Sequence, residues 1–353
     1  MEGSLRMDRN SYSLWAWHFI AAALYAAFAI YLYQPRFAQF SGWQWLLPVN
    51  ACVAALGAYV LSRRWVPGFA GTVLPGLVYG FGPFLLGLAR VHPFAGLLAA
   101  CVPWLFVPAT LAEKRWGKAA GLTLLFVPFA AIVLFFRLSA ARGLFAAPLH
   151  VDVRPSDLVG FIAPLALIDR STALLGLYHV PMAALVLGIA MMAKAHRYSF
   201  FVLVLAGFVL AFSKSFLDTS QLAWLGVSPI LWLSVPLTWC AALSGIGLHG
   251  LISAGYNDRK WILAAVITLG ILAIVALLLA AKCFQVILGL ADGYARLFVQ
   301  AACVYLGGAV ATGIIFWLTH MKLRVHWLRW AILCTALAAD IFLGARYIVD
   351  RVL

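Results

Sequence analysis

The chain has 353 residues, of which 65% are hydrophobic and only 10% are charged. A soluble globular domain usually has about a quarter of its residues charged, so this composition excludes one. The 25 lysines and arginines outnumber the 11 acidic residues and give a net charge of +14. This excess does not indicate nucleic-acid binding, because the basic residues stand at the ends of apolar segments, where they meet lipid headgroups.

Apolar segments of about twenty residues follow one another along the chain, and each is long enough to cross a bilayer as a helix. The first apolar run is longer than the core of a signal peptide, so we interpret it as an uncleaved first helix. The sequence predicts an all-α polytopic transmembrane helix bundle. It forms a single membrane domain over 1–353, with about ten or eleven spans near 14–33, 43–62, 68–89, 93–112, 117–137, 172–193, 198–214, 226–252, 261–281, 297–319 and 327–349.

A long connector, 138–171, separates the fifth span from the sixth. Two apolar pieces, 158–168 and 283–290, are shorter than the spans. Stretches of this length more often re-enter the membrane or lie in its interface than cross it. The sequence leaves open which of these applies.

Lysine and arginine are commoner on the cytoplasmic side of membrane proteins. With the N-terminus inside, 14 of the 25 basic residues lie on the inner side and 11 on the outer side. Four of the outer ones belong to the long connector, and long segments follow the rule poorly. We therefore expect a cytoplasmic N-terminus and a location in a bacterial inner membrane.

Two predicted spans are interrupted by proline and glycine. The third contains Pro75 and Pro83, and the eighth contains Pro229 and Pro236. They lie five spans apart, and an odd offset places them in opposite orientations. Broken helices at matching positions of two inverted halves form the binding site of many secondary transporters. The alternative is that glycine and proline are simply commoner in membrane helices than in soluble ones.

Ionisable groups inside hydrocarbon are costly, so each is a candidate for function. Asp340 lies near the middle of the last span, with Ala336 and Gly344 one turn away on the same face. Small residues let a neighbouring helix approach closely, so we expect Asp340 to face protein. It is our candidate proton carrier, and a structural hydrogen bond is the alternative.

Three histidines are predicted at membrane depth: His18, His179 and His249. They are candidates for a substrate or proton pathway, or for haem ligation if two face each other across helices. A structural role is the alternative for each. Lys214 and Asp218, four residues apart before the eighth span, are a candidate polar entrance, and a solvated ion pair is the alternative.

Most tryptophans stand near span ends, as in the aromatic belt of membrane proteins. Four lie deeper and are candidates to line a cavity for an apolar or quinone-like ligand, with helix packing as the alternative: Trp104, Trp232, Trp239 and Trp317. The 6 cysteines include no Cys-x-x-Cys pair. The pattern therefore indicates neither a zinc knuckle nor covalently attached haem, and it predicts no metal site.

No catalytic motif names a reaction. The chain lacks Gly-x-x-x-x-Gly-Lys-Ser/Thr, His-Glu-x-x-His and Gly-x-Ser-x-Gly, the signatures of phosphate-binding motors, zinc proteases and nucleophile-elbow hydrolases. Within the connector, His150, Asp152 and Asp169 offer the acid and base that a lipid-active enzyme needs. Whether the chain is an enzyme, and which cofactor it uses, stays open.

These observations favour a multi-pass transporter or permease of unknown substrate, proton-coupled through Asp340. Two alternatives remain: a membrane subunit of a redox assembly that binds quinone or haem, and a lipid-active membrane enzyme. The lipid bilayer is the expected partner. Protein partners and a homo-oligomer are left open.

Overall fold

The computed structural model describes residues 2–66, 68–143, 199–212, 227–286, 292–321 and 326–352, apart from some side chains within helices. This part of the chain is helical nearly throughout and contains no strand, so the predicted all-α bundle is confirmed. Its helices are α1 (Glu2–Tyr33), α2 (Leu46–Ser62), α3 (Phe69–Gly80), α4 (Pro83–Val91), α5 (Pro93–Trp116), α6 (Lys118–Ala141), α7 (Ser199–Ala211), α8 (Pro229–Trp232), α9 (Ser234–Ser253), α10 (Arg259–Val286), α11 (Asp292–His320) and α12 (His326–Val352).

Within the described residues, 8 segments are long and apolar enough to cross a membrane. They coincide with the first four and the last four predicted spans. Helices α6 and α7 coincide with the fifth and seventh, although their apolar stretches, Phe126–Ala141 and Val202–Ala211, are shorter. The protein is therefore a multi-pass membrane protein.

Several predicted segments lie outside the described residues. These are the sixth span at 172–193, the piece at 158–168 and the connector from 144 onward. The piece at 283–290 begins inside α10, which continues to Val286, and its remainder is also outside.

The third span consists of two helices. Helix α3 ends at Gly80 and α4 begins at Pro83, with Gly82 between them in an extended conformation at φ −68° and ψ 152°. An extended conformation is favoured for a residue before proline. A proline at the first helical position costs no hydrogen bond, because its N–H would have no helical partner there. The predicted interruption of this span is confirmed.

The eighth span is interrupted without a change to extended backbone between its two helices. The four-residue helix α8 is followed by α9, and Leu233 between them keeps helical angles, φ −64° and ψ −22°. Pro236 then offers no N–H to the carbonyl of Trp232. This span therefore carries a proline defect rather than a full break.

The two interrupted spans form the centre of the bundle. In the most apolar 18 residues of each segment, 89% are buried within Gly71–Val91 and 100% within Pro229–Ser253. The other crossing segments of the described chain reach at most 56%. Helices α2, α5, α7 and α12 pack around them. A segment enclosed by protein can carry glycine and proline, because its neighbours satisfy the backbone groups that proline leaves free.

Helices α10 and α11 pack mainly on each other around their own apolar cluster. The outer face of α10 repeats at helical spacing and is exposed, as expected of a face that meets lipid. It carries Leu263, Ile267, Ile271, Ile274 and Leu278.

Candidate functional site

Helices α3 and α9 meet along a line of glycines. A methyl group placed on Gly68 would lie 3.5 Å from Nδ1 of His249, and one placed on Gly245 would lie 2.4 Å from the carbonyl oxygen of Gly71. The same methyl group would lie 2.4 Å from the ring of Pro75. Residue numbers rise along α3 as they fall along α9, so the helices are antiparallel, which is the relation that the odd span offset predicts. We call this contact the glycine seam (Gly68, Gly71, Pro75, Gly245 and His249).

The glycine seam holds a polar backbone group in an apolar centre. Pro75 lies inside α3 and has no N–H to donate to the carbonyl of Gly71, one turn earlier. That carbonyl points at Gly245, where the absence of a side chain permits the approach. Free carbonyls at membrane depth are tolerated where they are buried in protein or line a pathway.

Farther along α3, Tyr79 satisfies a second carbonyl freed by proline. Pro103 has no N–H for the carbonyl of Ala99, and the Tyr79 hydroxyl donates to that carbonyl at 2.7 Å. The hydroxyls of Ser234 and Thr238 lie beside the Tyr79 oxygen. Helices α3, α5 and α9 therefore share one buried polar cluster.

A cavity of about 380 Å³ lies beside this cluster, between α5, α6 and the junction of α8 with α9. This volume is within the usual range of ligand pockets, about 300–1,000 Å³. Its lining is almost entirely apolar: Leu97, Leu98, Ala99, Cys101, Val102, Trp104, Leu105, Ile132, Phe135, Phe136, Leu231 and Ser234.

The hydrogen-bond donors of the lining are already engaged. The Ser234 hydroxyl donates to the carbonyl of Leu231. The indole N–H of Trp104 donates to the carbonyl of Val53 at 2.9 Å, across the backbone of Gly57. The thiol of Cys101 is only a weak donor. The cavity is therefore shaped for an apolar group.

The deep tryptophans have different environments. Trp104 lines the cavity, which is one of the two roles that the sequence left open for it. Trp232 and Trp239 are buried against phenylalanine rings of α6 and α5, so they are packing residues. Trp317 is 57% exposed and lines no part of this cavity.

Asp340 lies away from the cavity. It is half-buried on α12, close enough to Tyr305 of α11 for an electrostatic interaction. Helix α12 also packs on α4, the second half of the third span. Asp340 therefore faces a protein neighbour, Tyr305, while its helix contacts the interrupted third span through α4.

The two described candidate histidines lie at the end of the bundle where α2 ends and α3 begins. Nη1 of Arg63 is 3.3 Å from Nδ1 of His18 and donates to it, and the His18 ring packs edge-on against Tyr59. His249 is half-buried at the end of the glycine seam, beside Gly68. The structure does not bring either histidine into the cavity.

Three of the candidate residues predicted from the sequence, His179, Lys214 and Asp218, lie outside the described residues. So do His150, Asp152 and Asp169 of the connector. Within the described ranges, no group of three or more His, Cys, Asp or Glu side chains could hold a metal ion.

The role of Tyr79 was not predicted, although the sequence contains a signal for it. Pro103 implies a carbonyl without a helical donor at Ala99. The donor itself could not be named from the sequence, because Tyr79 reaches Ala99 only once α3 and α5 are packed together.

Comparisons of this chain with protein-family models, with curated proteins and with solved structures found no match.

Proposed function

We propose that this protein is a permease, and that its substrate passes along the glycine seam and the cavity at the other end of α9. The observation that carries the proposal is the seam itself. Two proline-interrupted spans run antiparallel and touch through Gly71, Pro75 and Gly245. They are the most buried of the crossing segments that the structure describes. In secondary transporters, broken helices in this relation form the substrate site, and one bundle rocks against the other around it.

The contacts suit such a movement. At Gly71 and Gly245 backbone meets backbone, so separating α3 from α9 at this point uncovers the carbonyl of Gly71. The cavity lies at the N-terminal end of α9, where Ser234 lines it, about 16 Å along the helix from Gly245. The Tyr79 cluster lies between them, since Tyr79 is one turn beyond Pro75 on α3 and lies beside Ser234. The apolar lining of the cavity favours a lipophilic or amphipathic substrate over an ion or a sugar.

The proposal is tested by asking whether water reaches the glycine seam. Ala241 is fully buried on α9, one turn before Gly245 on the same face. We place a cysteine there (Ala241→Cys), in a variant whose native cysteines are replaced, and treat vesicles with a small water-soluble thiol reagent. Ala276→Cys is the matched control, because it is equally buried, but in the separate α10–α11 cluster.

We expect the cysteine at position 241 to react at least tenfold faster than the one at position 276. Equal, very slow rates at both positions would contradict a pathway along the seam. Cysteines at Ala38 and Asn257, both exposed at opposite ends of the bundle, report the sidedness of the reagent.

Proton coupling through Asp340 is a separate part of the proposal. Because α12 packs on α4, a change in the charge of Asp340 acts on the second half of the interrupted third span. The thiolate is the reactive form at both cysteines, so the readout is the ratio of the reaction rates at positions 241 and 276. This ratio should depend on pH, and Asp340→Asn should abolish that dependence. An unchanged pH profile in Asp340→Asn would remove the coupling role and leave the seam result standing.

A further inference from the structure

The cavity beside α5 is long enough to hold most of one lipid chain. Its lining runs along α5 from Leu97 to Leu105, which spans about 12 Å at the helical rise. The hydrocarbon of one leaflet is about 15 Å thick, half of the bilayer core. The same cavity is lined from α6 by residues near that helix's C-terminal end and from α8 by Leu231. It therefore lies within one leaflet, on the side where α5 begins and α6 ends.

The cavity opens toward lipid rather than toward water. Trp104 and Phe135 both line it and are 39% and 49% exposed. Both belong to apolar membrane segments, Pro93–Ala112 and Phe126–Ala141. An acyl chain of the surrounding bilayer thus has a direct lateral entry. A quinone is a poorer occupant, because its carbonyl groups need donors, and those of the lining are engaged.

A basic side chain, that of Arg142, lies near the level of the headgroup of such a lipid. Arg142 is the first residue after α6 and follows Phe135 and Ser139 by seven and three residues, so the three share one face. Seven residues correspond to a rise of about 10 Å along the helix axis. Arg142 therefore lies about 10 Å farther toward the membrane surface than Phe135 of the cavity lining. Arg142 is exposed, and no described residue binds its side chain by a hydrogen bond or ion pair.

We infer that the cavity holds one acyl chain of an anionic phospholipid, with Arg142 binding the phosphate. The chain enters between Trp104 and Phe135 from the leaflet in which α5 begins. The inference does not depend on the permease proposal, since a bound lipid requires no movement of α3 against α9.

The test is lipid retention. The purified protein is delipidated, reconstituted in vesicles of equal phosphatidylglycerol and phosphatidylcholine, extracted in detergent, and its bound phospholipid counted by mass spectrometry. Leu98→Trp fills the cavity with a larger side chain. Leu278→Trp is the matched control on the lipid-facing side of α10, where the side chain is 64% exposed. Leu105→Phe is a milder filling variant in case Leu98→Trp fails to fold.

We expect about one retained phosphatidylglycerol per chain in the wild type and in Leu278→Trp, and at least a fivefold loss in the filling variants. Arg142→Gln should keep a lipid but lose the preference for phosphatidylglycerol. Equal retention in all variants overturns the inference. A quinone retained in place of a phospholipid also overturns the inference. So does a wild-type dimer that Leu98→Trp dissociates, because a second chain would then cover the cavity. Equal amounts of the two lipids in the wild type overturn the role of Arg142.

Discussion

The hydrogen bond from Tyr79 to Ala99 supports a quantitative prediction. Tyr79 is 3% exposed and donates to a carbonyl that Pro103 deprives of its helical partner. Tyr79→Phe leaves that buried acceptor unsatisfied, which costs about 1–3 kcal/mol in proteins generally. Interhelical hydrogen bonds in membrane proteins contribute about 0.6 kcal/mol on average and up to about 1.7. We expect a loss of about 1–2 kcal/mol in the free energy of unfolding, near the top of the membrane range because no helical N–H is present.

The proline allows a sharp control. Pro103→Ala restores an N–H one turn after Ala99, so the carbonyl regains a helical donor. In that background the acceptor stays satisfied, so Tyr79→Phe should cost only about 0.5 kcal/mol, the low end of the net contribution of a hydrogen bond. Tyr25→Phe is a matched single variant, because its acceptor, the carbonyl of Val73 at 2.9 Å, keeps the N–H of Leu77 as a helical donor.

The assay is reversible unfolding of the detergent-solubilised protein by a denaturing detergent, followed by tryptophan fluorescence. The wild type, Tyr79→Phe, Pro103→Ala and the double variant form a double-mutant cycle. Its coupling energy measures how far the effect of Tyr79→Phe depends on Pro103. A coupling energy near zero, with equal effects of Tyr79→Phe in both backgrounds, would refute the reasoning that the hydroxyl replaces the missing N–H.

Three further predictions use the same unfolding assay. Gly245→Ala should destabilise by about 1–3 kcal/mol, because its methyl group meets backbone, whereas Gly270→Ala, with nothing within 4 Å, should be neutral or stabilising; equal effects would contradict the close approach. Burial lowers the pKa of His92 from 6.5 in the folded protein, so the unfolded state binds more protons. The free energy of unfolding should therefore fall as the pH drops below about 6.5 and through the pKa of the folded state. His92→Asn should flatten this dependence, and an unchanged pH profile would exclude His92 as its source. Arg329 is 2% exposed and donates to the carbonyl of Ala254 at 2.7 Å, so Arg329→Met should cost about 1–3 kcal/mol, and a neutral substitution would show that the contact contributes nothing.

Sequence and structure agree where a single physical rule decides the outcome. The third span breaks at Gly82 and Pro83 because a residue before proline favours an extended backbone and proline lacks an N–H. The same rules predict a break in the eighth span that the structure does not show in full. Leu233, between the short helix α8 and α9, keeps helical angles. The candidate site shows the same division. For the deep tryptophans the sequence left cavity lining and helix packing open as alternatives. The structure places Trp104 at the cavity and buries Trp232 and Trp239 in packing.

The sequence by itself determined that this is an all-α membrane protein, where its described spans lie, and which of them are interrupted. Those properties follow from segment length, hydropathy and the backbone chemistry of proline and glycine, all of which are local. Only the tertiary structure decided that α3 and α9 meet at Gly71 and Gly245, that Tyr79 serves the carbonyl of Ala99, and that a cavity opens between α5 and α6. In lipid, packing of side chains and backbones selects which helices touch, because every apolar face is equally compatible with hydrocarbon. Hydropathy cannot distinguish those faces, so the site had to be found in the folded chain.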